Sequence, residues 1–373
     1  MNILKPNGRI RLIAFFLVAV MLVCVFGFTV DGWSVKDDTA KPGADSGNNH
    51  QSSLPSQDNT ADEENDTPTD VPQIYIPKYT SYITGLEVSE NVSKRRATAV
   101  VMSADGASYA ISKADLLAEF PIEDGSTRYL AFFTDFDSLG KIGPVLPTRS
   151  YVSNIACFFD SLILSHGIDD SVFYNACDHS SLHFDLTKHS GYHYSEFTHY
   201  QYTNKDLLKA GIKNIGLSTI KTDKEIPYSF NEFGKDAVSS ETVAKSISIS
   251  YSDIACTEFV YSSESSKYTM LKNGEEKKDM LSGENVSFTN CLVLFADSIT
   301  YESASGSQMV MSTTTSGTGY YFTNGSVFNI SWSADTDGNM TLFDENGSKL
   351  VVNRGNTYIA FVRSSKMQSV TFK

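Results

Sequence analysis

The chain is poor in positive charge. Thirty Lys and Arg stand against 44 Asp and Glu, a formal net charge of −14 over 373 residues. Nucleic acid wants a basic face, so that class of partner is excluded. The same balance argues against a folded surface that clings to anionic lipid. Much of the deficit is local: residues 31–70 hold ten acids and two lysines, a balance of −8.

Several motifs are missing as well. The five cysteines are Cys24, Cys157, Cys177, Cys256 and Cys291. None has CxxC spacing, which excludes zinc-ribbon and thioredoxin-type sites. Outside the cytosol Cys157 and Cys177 are the nearer candidates for a disulfide, but the favoured reading is buried free thiols. There is no G-x-S-x-G elbow, no phosphate loop and no G-x-G-x-x-G, so no nucleophile and no cofactor is indicated. The run from Asp335 fails as a calcium loop, because Met340 stands where glycine should turn and Asn346 where a bidentate Glu should close it. It reads as a hairpin turn.

What is present begins with Lys5, Arg9 and Arg11, followed by an apolar run over residues 12–30. A helix of that length just spans a hydrocarbon core. Charge asymmetry leaves the N-terminus in the cytoplasm and the bulk outside. A retained transmembrane anchor is therefore expected over residues 1–30. The competitors are a cleaved signal and a lipoprotein joined at Cys24. Residues 31–71 have no apolar period and read as a disordered, self-repelling acidic linker.

Residues 72–235 alternate strand and helix signals, which predicts an α/β (mixed α+β) domain. Strands are expected at residues 97–102, 129–136 and 161–166. Helices are expected over residues 113–120, capped by Ser112 with Asp115, over residues 151–159, and after Thr203 with a stop at Gly211. Residues 240–373 carry alternating strands and the hairpin signals Asn273-Gly274, Asn324-Gly325, Asp337-Gly338, Asn346-Gly347 and Gly355-Asn356. They predict a mostly antiparallel β domain with its own core.

Several stretches resemble the YerB family, whose two halves are domains of unknown function (DUF3048). Ile83-Thr84-Gly85, Lys113-Ala114-Asp115 with Glu119, the Glu123-Gly125-Thr127-Arg128 turn and Ile142-Gly143-Pro144-Val145 follow the family's order. So do Asn273-Gly274, Asn290, Gly325, Trp332, Asp344 and Gly355. The match covers residues 80–373. It implies an extracytoplasmic protein of the bacterial envelope, often a lipoprotein, with no established reaction. Leu146 replaces the family's first loop arginine and only Arg149 remains. His199 lies in Thr198-His199-Tyr200, where the family has Pro-His-Asn.

The candidate ligand site is Arg128, Arg149, His166 and His199, with Thr127 beside Arg128. Two guanidiniums at strand ends would clamp an anion through forked bonds. They are expected within about 10 Å of each other, facing one cleft. The bland alternative pairs them structurally with Asp115, Glu119 or Glu123. His179, His183, His189 and His193 repeat at i, i+4, but Ser190-Gly191 breaks any helix, so no metal is expected. The leading function is a membrane-anchored, extracytoplasmic protein that binds an anionic envelope component. The alternatives are an envelope hydrolase or transferase acting on glycan or phosphate with a histidine as acid–base, and a structural partner of envelope proteins. The lack of a catalytic motif leans away from an enzyme.

Overall fold

The computed structural model describes residues 74–168, 181–196, 200–303, 306–335 and 337–373. The expected anchor and acidic linker, Cys24, Cys177, His179 and His199 lie outside these residues. No helix among the described residues is long and apolar enough to cross a membrane.

The first part of the chain forms β1 (Thr98–Ser103), β2 (Leu116–Pro121), β3 (Thr127–Phe133), β4 (Lys141–Val145), β5 (Leu162–Ser165), β6 (His183–Asp185), β7 (Tyr194–Ser195), β8 (Gln201–Asn204) and β9 (Ser229–Phe230). Its helices are α1 (Glu90–Ser93), α2 (Ser150–Phe158) and α3 (Lys205–Ile215). The second part begins with β10 (Ser246–Ser250), β11 (Cys256–Ser262), β12 (Lys267–Lys272), β13 (Glu275–Glu276), β14 (Ser287–Phe288) and β15 (Asn290–Ala296). It continues with β16 (Ser298–Ser303), β17 (Gly306–Met311), β18 (Ser316–Thr323), β19 (Ser326–Ala334), β20 (Met340–Phe343), β21 (Val351–Val352), β22 (Thr357–Arg363) and β23 (Val370–Phe372).

The described residues are mostly β, with mixed and antiparallel sheets, and the expected strand–helix alternation of the first part is loose. The clearest departure is β2. A helix was expected over residues 113–120, yet only a single 3-10 turn, Ile111–Lys113, precedes a strand. Leu116, Leu117, Ala118 and Phe120 are buried without interruption, as a strand covered on both faces requires. Asp115 caps no helix; its carboxylate accepts the Thr134 amide at 2.6 Å. In α3 the cap is Asn204, whose side chain accepts from the Asp206 and Leu207 amides, and the helix ends at Gly216 in the left-handed region. Gly211, the expected stop, sits inside the helix because a Cβ there would overlap the Phe184 ring.

One large mixed sheet runs β20-β19-β18-β15-β22-β2-β3-β1-β4-β8-β7, with β5 on β1 and β6 on β5. A second, antiparallel sheet runs β13-β12-β11-β10-β23, with β14 on β12. Successive residues of a strand point to opposite faces, and the large sheet divides its apolar residues accordingly. Val100, Met102, Leu117, Ala131, Val293 and Ala360 enter a core shared with Ile247, Ile249, Phe259 and Met270 of the small sheet. Ala99, Val101, Leu116, Phe120, Leu292 and Phe361 enter a second core under Tyr151, Val152, Ile155 and Phe158 of α2.

The texture change near Ser240 therefore does not separate two cores. β22, from the end of the chain, lies between β15 and β2 and pairs with both in parallel. Both cores mix residues from before and after Ser240. A single protease cut at residues 232–241 is expected to leave two fragments that stay associated under native conditions and melt in one transition. Two resolved transitions, or fragments that part on size exclusion, would restore the two-core reading.

Candidate functional site

The β2–β3 hairpin organises the predicted residues. Its turn is closed by the Ser126 amide on Asp124 Oδ1 at 2.8 Å, with Gly125 at φ +88°. Arg128, opposite Ser103 of β1, reaches across and donates Nη1 to the Pro147 carbonyl at 2.6 Å. Pro147 belongs to the loop that carries Arg149. The same loop is tied to the end of β5: the His166 amide donates to Leu146 O at 3.0 Å, and the Thr148 amide to Gly167 O at 3.0 Å. Arg128, Arg149 and His166 thus gather at one end of β1, β3 and β5.

The two guanidiniums do not lie open there. Arg149 is 3 % exposed and its Nη2 is ion-paired with Glu123; Arg128 is 9 % exposed. The Glu123 carboxylate fills the role that the bland alternative allowed for it. Burial raises the Asp115 carboxyl, with the Thr134 amide as partial compensation.

The histidines lie beside this end. The His166 ring meets His193 edge-on at 5.2 Å, and His193 Nδ1 bonds Gln201 Oε1 at 2.7 Å. His183 Nε2 bonds Ser165 Oγ at 2.8 Å. Desolvation, then the neighbouring His193, push the His166 pKa below its usual value; burial does the same for His183. His189 and His193 flank a 3-10 turn, so their spacing does not put them on one helix face. No metal-ligating cluster is found among the described residues.

Thr127 and Glu119 belong to a different group, on the face toward the small sheet. Glu119 is fully buried and its two oxygens accept four hydrogen bonds. Thr127 Oγ1 and Lys272 Nζ each reach Oε1 at 2.5 Å. Thr257 Oγ1 reaches Oε2 at 2.8 Å and the Tyr358 hydroxyl does so at 2.6 Å. Lys272 Nζ also donates to Thr127 Oγ1 at 2.9 Å and Thr257 Oγ1 at 3.2 Å. Burial alone would raise the Glu119 carboxyl, but Lys272 and the hydroxyl donors outweigh it and hold the group below its usual range. A fully satisfied cluster of this kind has no lone pair left for a substrate.

Comparison with known proteins fits this architecture. Residues 83–218 match the N-terminal domain, and residues 247–359 the C-terminal domain, of the family described as protein of unknown function DUF3048. The crystal structure of the YerB protein from Bacillus subtilis is similar over 79 % of this chain and 100 % of that one, with a TM-score of 0.67 and 21 % identity. The chain belongs to the YerB family. No curated protein matches it. The likeness to the YerB crystal structure is one of fold.

Within this YerB-family fold the motif stretches converge on the hairpin, since Asp115, Glu119, Glu123, Gly125, Thr127 and Arg128 all lie on or beside it. The partners of Glu119 were not anticipated. Lys272 had a legible signal: β12 alternates, and Lys272 falls in phase with the buried Tyr268 and Met270. A lysine at the inward phase of a strand calls for a buried carboxylate.

Removing one member should expose the strength of the pair. Lys272→Met is expected to cost about 3–5 kcal/mol of unfolding free energy, with most of it regained in Glu119→Leu/Lys272→Met. Chemical denaturation reads both; a single-variant cost below about 1 kcal/mol would sink the idea. The pH dependence has a fixed sign. Glu119 is held below its unfolded value of about 4.3, so its contribution is complete above that pH and is lost as pH falls through the folded value. Wild-type stability is expected to drop below about pH 4, more steeply than that of the double variant.

Proposed function

We propose that this chain is a membrane-tethered, extracytoplasmic binding protein that recognises an anionic component of the bacterial envelope. The observation that carries the placement is Cys157, which is disulfide-bonded, against the favoured reading of a free thiol. Disulfides persist in oxidising compartments and are rare in the cytosol. The apolar run after Lys5, Arg9 and Arg11 supplies the anchor, and the acidic linker holds the folded part away from a surface of like charge.

Binding is favoured over chemistry because the carboxylates that might act as acid or base are committed to the fold. Glu119 accepts four bonds, Asp115 holds the Thr134 amide and Glu123 holds Arg149. The preference for an anion rests on the guanidiniums, which locally reverse the sign of an acidic chain. In this reading Arg149 fixes the loop through Glu123. Arg128 ties the same loop through the Pro147 carbonyl, the partly exposed His166 stands beside it, and Thr127 anchors the strand behind them.

The test uses the full-length chain in a bacterial host. It is expected in the membrane fraction, cut by protease added outside the cells. A membrane-impermeant maleimide should spare Cys157 until a reductant is added. Protection from external protease, or labelling of Cys157 without reduction, would overturn the placement. The purified chain should co-sediment with an insoluble anionic envelope polymer and not with its neutralised form; equal sedimentation would remove the anionic ligand.

A further inference from the structure

A third guanidinium, remote from the hairpin, is less buried than the two predicted arginines and faces a cavity. Arg354 follows β21 and lines a cavity of about 350 Å³ together with Phe233, Lys235, Ser266, Thr289 and Asn324. Its Nη1 donates to the Gly85 carbonyl at 2.6 Å. Its guanidinium carbon stands 3.6 Å from the Phe233 ring centroid and 5.8 Å from that of Phe230. No carboxylate of the described residues forms an ion pair with it, and its Nε is buried without a hydrogen-bond partner. Arginine carries five N–H donors in a planar fork, and one of them is used here.

An uncompensated, half-buried guanidinium stacked on a ring is costly unless something anionic completes it. Burial lowers its pKa, in keeping with that cost. The site is also held in place. Asn353, the residue before it, receives the Val238 amide at 2.8 Å and donates to Val238 O at 3.0 Å and Thr323 Oγ1 at 2.9 Å. The Gly355 amide, on its other side, donates to Thr84 O at 2.8 Å. A guanidinium whose backbone is fixed on both sides loses little freedom when it binds. Lys235 adds a second cation at the rim and Glu232 one carboxylate, so the cavity keeps a net positive charge. Ser266, Thr289 and Asn324 offer hydroxyl and amide groups for a polar ligand.

We propose that the Arg354 cavity is an oxyanion-binding site that takes the carboxylate or phosphate group of a small, hydroxyl-rich ligand. The inference rests on the anionic-ligand reading above and assigns it a location the sequence did not suggest. The planar fork aligns the oxyanion, Lys235 screens its outer oxygen, and the polar rim receives the hydroxyls.

Ligand-observed NMR on the full-length chain, in low salt, tests it with glucuronate and glycerol 3-phosphate as probes and glucose and glycerol as neutral controls. The wild type is expected to bind at least one anion and neither control. Which anion binds identifies the source of the charge. Arg354→Ala should weaken that binding at least about tenfold, the scale of one lost charge-assisted bond. Arg354→Lys keeps the charge without the fork and should fall in between, which covers the case where the alanine variant folds poorly. Lys349→Ala, which removes a partly exposed cation paired with Glu225, should bind like the wild type. If the wild type binds an anion and both Arg354 variants bind it equally well, this site is wrong and the broader reading stands. If the wild type binds neither anion, or binds the neutral sugars as well, both fall.

Discussion

The contact between Glu119 and Lys272 is the one on which the rest of the molecule leans. It joins the large sheet, through β2, to the small sheet, through β12. A carboxylate and an ammonium taken out of water are tolerable only when every lone pair and proton is answered. Thr127, Thr257 and Tyr358 answer them, and these residues come from β3, β11 and β22. Five strands are thereby held in one relative position by a group of polar atoms with strict geometry. Apolar packing between sheets tolerates sliding by a residue pair; this cluster does not. The cluster selects one arrangement of the sheets more than it deepens their stability, because an apolar replacement of similar volume would be comparably stable.

That arrangement sets the stage for the surface. The hairpin whose inner face carries Glu119 and Thr127 carries Arg128 on its opposite face, and its turn carries Glu123 toward Arg149. The inner contact and the loop are parts of one rigid unit. The Arg354 cavity lies elsewhere, framed by the segment after β9, the β18–β19 turn and the residues after β21. Among the described residues Arg95, Arg96 and Arg149 are each held by a carboxylate, and Arg354 is not. In an acidic protein the second kind is the informative one.

How much of this was legible differs from element to element. The apolar runs at β1, β5 and β15 and the asparagine–glycine turns declared themselves, because their signals are local. β2 was misread: Ser112 and Asp115 mimic a helix start, and only pairing with β22 reveals that both faces of residues 116–121 are covered. The boundary near Ser240 agrees with the two family-model matches, but the separate cores expected on either side of it were misread for the same reason. No local pattern records that Glu119 lies beside Ala360 across a sheet. The arginines were expected to face one open cleft; their burial depends on Glu123 and on the Leu146–Thr148 loop, which sequence spacing does not reveal. Arg354 went unnoticed because its meaning lies in what surrounds it, namely Phe233 and the lack of an ion-paired carboxylate among the described residues.

The position of β22 bears on how such a chain is made. It follows both β2 and β15 in sequence yet lies between them in the middle of the large sheet. Until it arrives, β2 and β15 each present a bare edge able to pair with another chain, and the contacts that close the sheet span most of the sequence, a slow class of folding step. The large sheet cannot close before β22 has been made. This also makes β22 a checkpoint: a chain that lacked it would hold two half-sheets with adhesive edges.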